Sequence, residues 1–136
     1  MLLSRDMILA KDDLTREELV IPEWGGSVYV RVMTGTERDE LESRQMLTDG
    51  QPANERLKNL RALLAVLTTC DEQGAALFVM DDLGSLSNKS ATAIDKIFEV
   101  SLRLNRLQAD EVEKMVGESA DDQNADSGIV LPLPSA

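Results

Sequence analysis

The chain has 136 residues with 25 Asp and Glu against 14 Lys and Arg, a formal net charge of −11, no histidine and one cysteine. That length fits one domain with a buried core, which must be aliphatic because aromatics make up only 3%. The charge argues against nucleic acid and anionic membranes as partners, since both are held by clustered Lys and Arg; the missing histidine removes Ser-His and Cys-His nucleophile pairs and His-bearing zinc sites.

Met1-Leu2-Leu3-Ser4-Arg5-Asp6 lacks the basic segment and apolar run of a signal peptide. Ser4 predicts the cap of a short helix over residues 5–11, and Asp12-Asp13 an exposed break. Thr15-Arg16-Glu17-Glu18 fits a helix capping box, but Pro22 follows closely and Val20-Ile21 is β-branched, so a strand is the better reading. Pro22-Glu23-Trp24-Gly25-Gly26 then separates this run from Ser27-Val28-Tyr29-Val30-Arg31-Val32, in which Val28, Val30 and Val32 share one face. Two such runs joined through a Gly pair predict a β-hairpin, with Gly25 and Gly26 free to take positive φ. Trp24, the sole tryptophan, reads either as the anchor of this hairpin or as an interface hot spot.

Beyond the hairpin, Thr36 with Asp39 predicts a capped, largely polar helix to about Leu47, with Leu41 as its chief apolar contact. Leu57, Leu60, Leu64 and Leu67 form an amphipathic stripe. Because Ala65-Val66-Leu67-Thr68-Thr69-Cys70 also suits a strand, the expectation is a helix over residues 54–64 followed by a second hairpin across Asp71-Glu72-Gln73-Gly74. Ser87 reads as the cap of a helix carrying Ile94, Ile97, Phe98, Leu102 and Leu104, closed by a left-handed Asn105. Leu107 packs back, and a last short helix covers residues 109–116. From residue 117 the composition turns to Ser, Asp, Asn, Gly and Pro, which predicts a disordered tail. Its closing Ile129-Val130-Leu131-Pro132-Leu133-Pro134 reads as a docking peptide or a frayed end. The expected fold class is thus α+β, small hairpins packed with about four α-helices, with a globular domain over residues 1–116 and a flexible tail over residues 117–136.

Chemistry is scarce. Cys70 sits in an apolar stretch and reads as a small buried hydrophobe. Asp12-Asp13, Asp81-Asp82 and Asp121-Asp122 read as solvated turn acids, since adjacent exposed carboxylates share one environment and catalytic pairs need two. No calcium loop or phosphate loop is present, and no cofactor is expected. The longest aliphatic run, residues 62–67, is far short of the roughly 20 residues that span a bilayer. The residues alone point to an acidic, cytoplasmic interaction module. An acidic adaptor or a DNA-mimic inhibitor fits the same charge.

Several ordered motifs carry a resemblance. Pro22-Glu23-Trp24-Gly25-Gly26 leading into Val28-Tyr29-Val30-Arg31, then Thr34-Gly35-Thr36-Glu37-Arg38-Asp39, resembles the tail assembly chaperones of long-tailed, siphovirus-type bacteriophages and prophages. Cys70-Asp71-Glu72-Gln73-Gly74 before Leu77-Phe78 is similar to that family's Asp-Glu-x-Gly hairpin, and Leu104-Asn105-Arg106-Leu107 to its closing motif. Gly117-Glu118-Ser119 departs from the family's Lys-Asn-like close. The resemblance implies a non-enzymatic protein of the host cytoplasm, absent from the mature virion, that binds the phage tape measure protein during tail tube assembly. It also implies homo-oligomers, and a longer product of ribosomal frameshifting that recruits the major tail tube protein. Trp24, Val28, Val30, Ile97 and Leu104 are the expected protein-binding residues, with a purely core role as the alternative reading of the same side chains.

Overall fold

The computed structural model describes residues 1–116; the tail expected over residues 117–136 lies outside them. In chain order the elements are α1 (Arg5–Leu9), β1 (Arg16–Ile21), β2 (Gly26–Arg31), α2 (Gly35–Met46), α3 (Ala53–Thr68), β3 (Thr69–Cys70), α4 (Leu83–Ser87), α5 (Ala91–Leu104) and α6 (Ala109–Val116). This is the α+β class expected, with six helices among the described residues rather than about four. The helix with no counterpart in the sequence reading is α4, of five residues.

The first hairpin forms as predicted. β1 pairs antiparallel with β2, Leu19 opposite Val28 and Ile21 opposite Gly26. The connection is a single 3-10 turn over Pro22–Trp24, in which Pro22 supplies a preset φ. Only Gly25 takes the left-handed conformation, at φ 75°, where its N–H donates to the Pro22 carbonyl at 3.1 Å. Gly26 already belongs to the strand. β2 then pairs with β3, giving a three-stranded sheet of order β1-β2-β3.

The second hairpin is largely replaced by helix. α3 continues through Thr68, and only Thr69 and Cys70 are extended. Asp71 to Gly74 does reverse the chain, with the Asp71 carboxylate accepting from the N–H groups of Gln73 and Ala75 at 2.8 and 3.0 Å. The return segment adds one isolated bridge, Ala76 to Cys70. The reason for the misreading is physical. Residues 62–70 are all buried, so this end of α3 carries no polar face to mark its helical period.

Two apolar clusters meet on α3. Leu60, Leu63, Leu64 and Leu67 pack with Leu41 of α2, Phe98 and Leu102 of α5, and Val112 and Val116 of α6. Ala65 and Val66 face the sheet, packing with Ile21, Val30, Leu86, Ile94 and Ile97. The Thr68 hydroxyl donates to the Leu64 carbonyl at 2.7 Å and pairs with the Ser101 hydroxyl at 2.6 Å, so α3 and α5 share a hydrogen bond inside the core.

Helix ends are corrected in three places. α2 is capped by Thr34 with Glu37 at N3, two residues earlier than expected; the Thr34 hydroxyl accepts from Glu37 N–H at 3.1 Å and the Glu37 carboxylate from Thr34 N–H at 3.0 Å. Glu37 wins over Asp39 because its longer side chain reaches back while also engaging Arg31. α5 is capped by Ser90 rather than Ser87, the Ser90 hydroxyl accepting from Ala93 N–H at 3.3 Å. At the other end of α5 the left-handed residue is Arg106, at φ 54°, and not Asn105. Leu107 N–H reaches the Leu102 carbonyl at 2.9 Å and Arg106 N–H the Arg103 carbonyl at 3.3 Å, a Schellman arrangement in which Leu107 packs back on Leu102. Asn105 serves instead as a brace: its amide donates to the Ser101 carbonyl at 3.0 Å and its oxygen accepts from Met33 N–H at 2.8 Å.

A side chain in the left-handed region costs about 1–2 kcal/mol that glycine does not incur, partly offset by glycine's freer unfolded chain. Arg106→Gly is therefore expected to stabilise the fold by about 0.5–1 kcal/mol in urea denaturation. An unchanged or lower midpoint contradicts the assignment.

Candidate protein-docking surface

The described residues offer little to catalysis. Among them no group of three or more His, Cys, Asp or Glu side chains stands close enough to hold a metal ion. Cys70 is fully buried between β2 and the turn, and burial pushes its thiol up, away from the thiolate form that reacts. Asp82 spends its carboxylate on the Val79 N–H at 2.9 Å, and Asp12 and Asp13 are exposed. Asp121 and Asp122 lie outside the described residues. No helix among them is long and apolar enough to cross a membrane.

The five residues expected to bind protein all belong to the cluster between the hairpin and α5. Val30 and Ile97 are fully buried, so in the folded monomer they hold the sheet onto α5 and reach no solvent. Trp24, Val28 and Leu104 are half-buried, and the sequence reading missed Leu19 and Val100 beside them. Together these five half-buried side chains form an apolar seam along the hairpin–helix junction. Their signal was weak: Leu19 alternates with charged and exposed neighbours, and Val100 lies at the border of the α5 stripe.

Two ion pairs bracket the seam. The Lys96 ammonium donates to Glu23 beside Trp24 at 2.9 Å, and Arg103 donates to Glu17 at 2.7 Å near Leu104. Seven residues of helix separate the two cations, about 10 Å along α5. Each carboxylate is held below the usual range, chiefly by the hydrogen bond to its partner. Both pairs are exposed, so they fix the hairpin's alignment more than they stabilise it.

Exposed apolar side chains concentrate elsewhere. Met1, Leu2, Leu3, Met7, Ile8 and Leu9 are all exposed, the first two by 99% and 95%, and α1 buries none of its residues. Val20, Met46, Leu47, Leu77 and Val79 complete the set of large exposed hydrophobics on the described residues.

The sheet is joined to α2 by a buried ion pair. Both guanidinium NH groups of Arg31 donate to the two carboxylate oxygens of Glu37 at 2.8 Å, with the Arg31 side chain 5% exposed. Burial alone raises the Glu37 carboxyl, but the Arg31 hydrogen bonds and the Thr34 N–H outweigh it, and the net shift is downward from 4.5. A depressed carboxyl contributes stability above its unfolded value that disappears as pH falls through the folded one. Glu37→Gln is accordingly expected to cost about 1–3 kcal/mol at pH 7, and to lose less stability than the parent on acidification below 4.5. Thermal melts across that window check it; equal acid sensitivity of the two proteins contradicts it.

No protein-family model matches this chain, and no curated protein matches it in sequence. Among solved structures the chain is similar to one described as the structure of bacteriophage HK97 tail assembly chaperone, at a TM-score of 0.54 and 18% identity. The match covers 67% of this chain and 85% of that one. The protein described here therefore has a tail assembly chaperone fold.

Proposed function

We propose that this chain is a non-enzymatic phage tail assembly chaperone, which binds the tape measure protein and keeps it soluble while the tail tube is built. The observation that carries this reading is the shared fold with a phage tail assembly chaperone, reached at 18% identity. Physical chemistry supports it. A net charge of −11 keeps a loaded complex soluble by repulsion. A half-buried apolar seam is suited to an amphipathic helix, whose anchors at i, i+3, i+4 and i+7 can lie along it. Trp24, Val28 and Leu104 make the contact; Val30 and Ile97 set the backbone beneath them.

Several copies along one filamentous partner gain by multivalency, which favours homo-oligomers. A longer frameshifted form recruits the major tail tube protein, and the complex works in the host cytoplasm without entering the virion. Nucleic acid, membrane and cofactors play no part.

The test is co-expression with the tape measure protein of the same phage or prophage. The expected result is a soluble long partner that co-elutes with this chain, and a reduced yield of complex with a Trp24→Ala variant whose circular dichroism is unchanged. A tape measure protein that aggregates while this chain elutes free overturns the proposal.

A further inference from the structure

The sheet ends on β1, whose far side carries backbone groups that no described residue meets. The register shows which ones. Val32 N–H donates to the Thr15 carbonyl at 2.9 Å, so Thr15 and Val32 are a hydrogen-bonded pair, and such pairs recur at every second residue. Glu17, Leu19 and Ile21 therefore turn their N–H and C=O groups toward β2, while Arg16, Glu18 and Val20 turn theirs outward. The ion pairs of Glu23 with Lys96 and of Glu17 with Arg103 lay α5 along this same strand, so the outward groups border the apolar seam at Leu19. Val20, on the opposite face, is 61% exposed. An edge of this kind accepts an extended segment as an added strand.

The sequence holds a segment matched to it. Along Ile129-Val130-Leu131-Pro132-Leu133-Pro134 the N–H positions alternate sides in an extended conformation. Pro132 and Pro134 have no N–H and share one side, whereas Ile129, Leu131 and Leu133 all donate from the other. Three donors spaced by two thus stand against three outward residues of β1 spaced by two, and the prolines leave the new outer edge with one donor, at Val130. All six side chains are apolar, so whichever way the strand runs, one row covers Val20 and the other the Leu19 side of the seam. Residues 127–136 carry no charged side chain that Glu17 and Glu18 would repel. A second copy of β1 fits less well, because a pairing through all three outward residues sets Glu18 opposite Glu18. Residues 117–128 reach about 40 Å when extended, against a radius of gyration of about 13 Å for a body of this size. We infer that residues 129–133 dock as a fourth strand on the outer edge of β1 of the same chain. Such a strand screens the Leu19 side of the seam, and a target must displace it; that consequence alone rests on the proposed function.

Residue-resolved amide hydrogen exchange on the purified full chain provides the test. The Glu18 and Val20 amides should exchange about tenfold or more below the free-peptide rate, equally at all protein concentrations. Leu131→Pro, which removes the central donor, should return both to within about threefold of that rate, while Glu17 and Leu19, bonded to β2, stay as in the parent. Unprotected Glu18 and Val20 amides in the parent overturn the inference. So does protection that survives Leu131→Pro, and so does protection that fades on dilution, which assigns the edge to a second copy. Leu131→Pro should also raise the yield of complex with a co-expressed tape measure protein; a parent-level yield despite lost protection overturns the screening and leaves the strand. A tape measure protein that neither form captures overturns the chaperone reading and leaves the exchange result standing.

Discussion

Everything in this fold depends on giving the second half of α3 an apolar surrounding on all sides. Residues 62–70 are buried without a break, so no orientation of that segment leaves a face for water. The chain solves this by encircling it. α2 and α6 close one side around Leu60, Leu64 and Leu67, while α4, α5 and the sheet close the other around Ala65 and Val66. β3 follows directly and ties the same segment into the sheet through Val30 and Tyr29. At roughly 1.5–3 kcal/mol per fully buried aliphatic side chain, Leu63, Leu64, Val66 and Leu67 make this segment a large favourable contribution to the fold.

The polar groups drawn into that environment are spent on joining elements. Arg31 and Glu37 fasten the end of β2 to the start of α2. Arg56 is 6% exposed and donates to the Thr48 hydroxyl at 2.7 Å and the Gln45 carbonyl at 2.9 Å, fixing the α2–α3 turn. Gln45 in turn donates to the Met115 carbonyl at 2.9 Å, which brings α6 against the same turn. Breaking one partner of such a set leaves a buried donor without an acceptor, so these contacts specify arrangement more than they add stability. What remains outside the closed body includes a half-buried apolar seam along the hairpin and an exposed N-terminal segment that buries none of its apolar side chains.

Legibility in the sequence followed how each element meets water. The hairpin was readable because Pro22, Gly25 and the alternating valines each have a local physical meaning. α2 and α5 were readable because they have polar faces, with Arg38, Glu42 and Arg44 on one and Lys96, Glu99 and Arg103 on the other. The second half of α3 was not, because its β-branched Val66 and Thr68, running into Thr69 of β3, favour strand locally and complete burial erased the helical period. The caps failed for another reason. Thr34-Gly35-Thr36-Glu37-Arg38-Asp39 holds two overlapping capping boxes, and Arg31, whose partner decides between them, lies outside the motif. Of the docking surface, Trp24, Val28 and Leu104 were identified as apolar residues of the right elements, but their half-burial is set by how the hairpin lies on α5. The N-terminal segment's isolation could not be read at all, since Met7-Ile8-Leu9 resembles any core-facing turn until nothing packs on it.

Native-state amide hydrogen exchange on the purified chain tests the central claim most directly. If the encircled half of α3 organises the fold, the amides of residues 64–68 exchange only through global unfolding and are the slowest in the protein. Exchange of those amides through a local opening, faster than the amides at the centre of α5, would contradict it.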